Sequence, residues 1–194
     1  MRKLKQLRRD ETGAYMIELA LILPAFLLLM MGIFDIGVQM YAKAVLSGAV
    51  EEAARASTLE SNNADQAAVD NRVRQAMGTV APYASIAFQR LSYNNFSDVA
   101  EAEAFTDRNN NGVRDPGECF EDANANGTWD SDRGTNGQGG ADDVVLYRVT
   151  LSYDRLFPLW RMLGEPQRAN MRVVTTLRNQ PFTNQTDATV AVCT

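Results

Sequence analysis

Residues 8–34 read RRDETGAYMIELALILPAFLLLMMGIF. Two arginines open this stretch, and from Ala14 to Phe34 it runs for 21 residues with Glu18 as its one charge. At 1.5 Å per residue such a run crosses the ~30 Å hydrocarbon core of a bilayer as a helix. Arg2, Lys3, Lys5, Arg8 and Arg9 precede it, so the basic end is expected to stay cytoplasmic and the rest of the chain to lie outside. A cleaved secretory signal fits less well. No A-x-A site follows the apolar run, and the helical pattern continues past it through Val38, Tyr41, Val45, Ala49, Ala53 and Ala56. Pro24, inside the span, is tolerated in membrane helices and loosens them locally.

Glu18 asks for a reason. An ionisable side chain at the centre of a membrane helix costs about 2.5–3.5 kcal/mol on insertion scales. Four residues into the run it could snorkel to the interface. The alternative lies in the whole pattern of basic leader, Gly13, Ala14, Glu18 and apolar run, which resembles the cleavage region of type IV prepilins and pseudopilins. The resemblance implies a cut by a prepilin peptidase between Gly13 and Ala14, leaving Glu18 fifth in the mature chain. The Glu18 carboxylate of one subunit would then pair with the new amine of a neighbour, removing two unpaired charges from an apolar setting.

The resemblance narrows further along the chain. GAYMIELALILPAFLLLMMGIFDIG, the helix carrying EEAARAS, and the ending VTTLRNQPF together resemble the TadE-like family, minor pseudopilins of tight-adherence (Flp-type) pilus systems. This implies a role in assembling or capping a pilus, with pilin subunits and other pseudopilins as partners, and it implies no catalytic residue. Ala44 with Gly48, and Ala49 with Ala53 and Ser57, keep the small-xxx-small spacing that lets helix backbones approach closely. The same face could equally pack on the protein's own head.

The expected organisation is a basic leader over residues 1–13, a transmembrane and stalk helix over 14–57, and a periplasmic head over 58–194. The fold class is α+β: a long N-terminal membrane-spanning helix leading into a pilin-like head with a small antiparallel sheet. In the head, Asn63 and Gln66 have capping-box spacing before the stripe Val69, Val73 and Met77. Strands are expected at 84–93, 143–153 and 168–179. The second alternates Val145, Tyr147, Val149, Leu151 and Tyr153 with Leu146, Arg148, Thr150 and Ser152. RLFPLWRMLGEP, residues 155–166, reads as a turn or short helix, by default cover for core or sheet edge, with an exposed docking patch or membrane contact as the alternative.

Residues 105–142 are an acidic insert that the simplest relatives would not be expected to carry. DRNNNGVRDPGE, residues 107–118, matches the loop pattern D-x-[DN]-x-[DN]-G-x5-E at every defined position. Asp107, Asn109 and Asn111 would offer side-chain oxygens, Val113 a carbonyl, Asp115 a direct or water-mediated contact, and Glu118 a bidentate carboxylate. All are hard oxygen donors, so the cation implied is Ca2+. A second copy starts 15 residues on, with Asp122, Asn124, Asn126, Thr128 and Asp130 in the same places. Its twelfth position is Arg133, so the bidentate ligand must come from Asp132, or from outside the loop, or be missing. Pro116 and the Gly/Asn content argue for isolated loops without flanking helices. Cys119 and Cys193 could pair in an oxidising compartment.

Composition limits the remaining classes. The chain has 194 residues, a net charge of −5 and no basic face beyond its first residues, which excludes nucleic acid as the main partner. It has no His, and it has neither a nucleophile motif nor a phosphate loop, so neither an enzyme nor a small-molecule substrate is expected. A permanently membrane-anchored, calcium-dependent adhesion or binding module is the alternative to the pseudopilin reading.

Overall fold

A computed structural model describes residues 12–58, 65–181 and 190–193. Helix α1 spans Thr12–Ser57 and α2 spans Gln66–Gly78. Strand β1 (Ser85–Tyr93) follows, and after a short 3-10 turn come β2 (Cys119–Asp122) and β3 (Thr135–Asn136). Strand β4 (Val144–Asp154), the one-turn helix α3 (Leu159–Met162), β5 (Arg168–Arg178) and β6 (Val190–Cys193) complete the order. A long apolar helix followed by a small antiparallel sheet is the α+β class expected, and the three long strands fall within about a residue of their expected bounds. Residues 1–11 of the leader, and Asn63, lie outside the described residues. The cap of α2 is Asp65, whose carboxylate accepts from the Ala68 N–H at 3.0 Å, satisfying one of the donors a helix start leaves over.

The chain forms two compact units: α1 up to Ala42 with Asp154–Ala169, and Lys43–Tyr153 with Asn170 onward. In the second, four strands stand in the order β3-β1-β4-β5. β1 and β4 run antiparallel from Ser85 opposite Ser152 to Tyr93 opposite Val144. Period-two alternation puts Tyr147, Val149 and Leu151 on one buried face. Near the other end β4 is buried on both faces, because Val144 and Leu146 cluster with Leu91, Tyr93 and Val99. On β5 the alternation Ala169, Met171, Val173 is inward on one side only, as suits an edge strand.

Helix α2 lies on this sheet through a polar junction. Asp70 takes two bonds from Arg90, one at 2.5 Å, and the Tyr147 hydroxyl donates to it at 2.8 Å. Arg90 also stands over the Tyr147 ring, and Arg74 over Phe88. Burial and the bond to Asp70 push the Tyr147 pKa well above its ordinary value. The buried residues of α1 in this unit, Leu46, Val50, Ala53, Ala54 and Ser57, recur on one face. At its end Gln138 donates to the Ser57 carbonyl at 3.2 Å and to Asn179 at 3.1 Å, giving one orphan carbonyl of the helix end a partner.

A second, two-stranded sheet pairs β2 with β6, with Cys119 directly opposite Cys193. The two sulfurs are bonded, 74 residues apart in sequence. A loop of that length predicts that replacing both cysteines by alanine lowers stability by about 4 kcal/mol in the chain-entropy model. Chemical denaturation of the two proteins would measure it, and an unchanged midpoint would refute it.

Candidate functional site

Two regions carry the chemistry. In the first half of α1, every residue from Tyr15 to Leu29 is exposed, and the helix contains a span with mean hydropathy 2.4, long and apolar enough to cross a membrane. Gly13 and Glu18 are exposed on this helix. Ala14 is helical, and among the described residues Glu18 has no ion pair. Further along, Ala44 and Gly48 are also exposed, and a Cβ added to Gly48 would meet nothing within 4 Å. The small-xxx-small pair Ala44/Gly48 is therefore turned to solvent, while Ala53 and Ser57 are buried.

The second region is the acidic insert. Residues 107–118 and 122–133 fold into two turns whose bonds repeat over the first nine positions. The first aspartate receives two backbone N–H groups: Asn111 at 3.2 Å and Gly112 at 2.7 Å onto Asp107, Asn126 at 3.1 Å and Gly127 at 2.8 Å onto Asp122. Asn109 and Asn124 each accept from the N–H two residues on, at 3.1 Å. Asn111 accepts from Val113 at 2.8 Å and Asn126 from Thr128 at 2.7 Å. The asparagines at the third and fifth places of each loop turn their NH2 groups onto one oxygen of the ninth residue, Asp115 or Asp130, at 2.5–2.9 Å. Gly112 and Gly127 have φ of +75° and +78°, the left-handed region in which glycine carries no steric cost.

The twelfth position shows where the second loop gets its missing acid. In the first loop Glu118 accepts from the N–H of the second residue, Arg108, at 2.8 Å and of the ninth, Asp115, at 3.0 Å. In the second loop the same two donors, Ala123 at 2.9 Å and Asp130 at 3.0 Å, are taken by Glu103. Glu103 is 1% exposed and stands 20 residues ahead of its first partner. Its backbone is held in place on the Asp130 side: the Glu103 N–H donates to the Asp130 carbonyl at 3.0 Å, and the Trp129 indole donates to the Glu103 carbonyl at 2.8 Å. Arg133, at the loop's twelfth place, turns away to Asp98 at 3.5 Å.

Asp132 is engaged elsewhere, accepting from the Tyr93 hydroxyl at 2.9 Å and the Gly134 N–H at 3.1 Å. Gly134 passes so near the Tyr93 ring that an added Cβ would come within 2.7 Å of it. Both loops are flanked by β structure: β2 joins the end of the first to the start of the second. Glu103, Glu118 and Asp122 are all buried. Among the described residues no three acidic, His or Cys side chains converge as a metal group on their own; each loop mixes acids with asparagine oxygens and a carbonyl.

Burial, and then the bond to Asp132, push the Tyr93 pKa up to about 12. The proton is held more tightly folded than unfolded, so this contribution to stability is full below pH ~10 and lost as pH rises toward 12. Ultraviolet titration of tyrosinate should show Tyr93 ionising near pH 12, with Tyr147 later still. Asp132→Asn should lower that value in part, since burial is the larger cause; an unchanged titration would refute the bond.

Residues 13–55 match the family model described as TadE-like protein, a match that covers α1 almost from end to end and stops before the sheet and both loops. No curated protein and no solved structure matches the chain.

Proposed function

We propose that this chain is a minor pseudopilin of a tight-adherence pilus, cut between Gly13 and Ala14 by a prepilin peptidase and packed through α1 against pilin helices. The observation that carries the reading is the TadE-like match over residues 13–55, lying on a helix whose first half is apolar and exposed all round. Glu18 is the one carboxylate of that half, and a neighbour's Ala14 amine is its natural counter-charge in lipid. The open strip at Ala44 and Gly48 suits close approach of a second helix. The head would then lie on the periplasmic side of the inner membrane, and the role is structural.

Co-expression with the cognate prepilin peptidase tests this. Intact mass should give a chain starting at Ala14, with Gly13→Ala left unprocessed. An uncut wild-type chain beside a cleaved control pilin would overturn the reading and favour a permanent anchor.

Bound calcium structuring the insert belongs to the same proposal. The donor set fits: Asp107, Asn109, Asn111, Val113, Asp115 and Glu118 are hard oxygens in the order a calcium loop uses. In the second loop Asp122, Asn124, Asn126, Thr128 and Asp130 repeat it, and Glu103 takes the twelfth role. The asparagine NH2 groups now on Asp115 and Asp130 stand in for the positive charge of a cation. Rotating those amides would present oxygens instead. Calorimetric titration of the folded chain should count two calcium ions, with Glu118→Gln and Glu103→Gln each removing one, at least tenfold weaker. Two ions bound by Glu103→Gln would remove Glu103 from the site. No ion bound by wild type would end the calcium reading and leave the pilus reading untouched.

A further inference from the structure

The pilus reading gives residues 155–166 no task, yet they are fastened to α1 at a telling height. Within their unit, the Arg155 guanidinium pairs with the Asp35 carboxylate, and the Trp160 indole donates to the same carboxylate at 2.7 Å. Arg155 lies over the Trp160 ring at 4.4 Å. Leu159 is buried and reaches within 3.5 Å of where a Cβ on Gly32 would stand. Asp35 itself is 3% exposed.

Gly32 belongs to the apolar run, and Asp35 is the first charge after Glu18, directly beyond the end of that run at Phe34. If the run fills the ~30 Å core, Gly32 sits about 3 Å inside its edge at 1.5 Å per residue. The turn therefore stands beside the last turn of the span, at the depth of lipid headgroups. Around α3 three large apolar side chains are exposed, Leu156 at 72% and Met162 and Leu163 at 66%, and Glu165 is exposed after them. Arg161 is exposed beside them. On α1 at the same height Ile33, Phe34 and Ile36 are exposed as well.

We propose that residues 155–166 are a second membrane contact, in which Leu156, Met162 and Leu163 enter the headgroup–acyl boundary beside the point where α1 leaves the bilayer. Trp160 is the aromatic residue favoured at that boundary, and Arg161 meets lipid phosphate. Asp35, Arg155 and Trp160 fix the depth by tying the turn to the span. The inference rests on α1 crossing the membrane and is independent of cleavage and calcium. Lipid is the occupant because the turn is tied to Gly32 and Asp35, at the height where the apolar run of α1 ends.

The test places the full chain, one copy per nanodisc, in lipids brominated at shallow or deep acyl positions. The emission of Trp160 is obtained as the difference between wild type and Trp160→Phe. Shallow bromine should quench it more than deep bromine, and the triple change Leu156→Ser, Met162→Ser, Leu163→Ser should at least halve that quenching while the chain stays in the disc. An unquenched Trp160 in a chain that still floats with lipid would overturn the membrane contact alone. A chain that does not float would overturn it together with the spanning helix. Protection of Trp160 that appears only with several copies per disc would assign the patch to a second copy and overturn the lipid contact.

Discussion

From Tyr15 to Leu29 the side chains of α1 stand outward around the whole helix, and at about 25 cal/mol per Å2 the cost of leaving that surface in water exceeds what a small domain has to spare. Such a helix suits apolar surroundings, and much of the rest follows from that. A helix in lipid satisfies its own backbone, so the span needs no cover from the chain. Glu18 is the one acid of that span. Past Phe34 the helix changes character: Leu46, Val50 and Ala53 are buried on one face while Ala44 and Gly48 stay open.

The insert solves a different problem. Twelve carboxylates between residues 98 and 143 repel one another. The fold meets part of this by turning Asp107, Asp122, Glu103 and Glu118 onto backbone N–H groups, two each. Elsewhere in the head a carboxylate is neutralised by a guanidinium, as at Asp70 and Arg90. Both devices keep a partly or wholly buried charge from being left alone, which would cost several kcal/mol. The N–H arrangement differs in leaving the carboxylates uncompensated in net charge, which is the state a hard cation would complete.

How much of this was legible depended on distance along the chain. Period and length betray a long apolar helix, and alternation betrays β4 and β5, because those signals are local. The loops are legible for the same reason, since their spacing of one, three, five, six and nine is the geometry of a single turn. Glu103 was not legible as a partner of the second loop. It reaches Ala123 and Asp130 because the chain around it hydrogen-bonds to 129–133, and no spacing rule covers a residue that arrives from a separate segment of the chain. Asp35 with Trp160 is the extreme case, at 125 residues apart. The cap of α2 at Asp65 needed only local reading, but Asp and Asn both cap well and the sequence offers both within three residues.

The Cys119–Cys193 bond makes a covalent ring of the chain between those residues, and membership of the ring is uneven. The second loop and strands β3, β4 and β5 are inside it. Strand β1, Glu103 and the first loop are outside, although β1 stands between β3 and β4 in the sheet. A single peptide-bond break anywhere within the ring thus leaves both pieces attached and the sheet's strands held near their places. A break in the first loop would instead sever everything N-terminal to it, α1 included, from the ring. In a protease-rich environment the head is covalently redundant where it carries most of its sheet, and dependent on an unbroken backbone where it joins the helix.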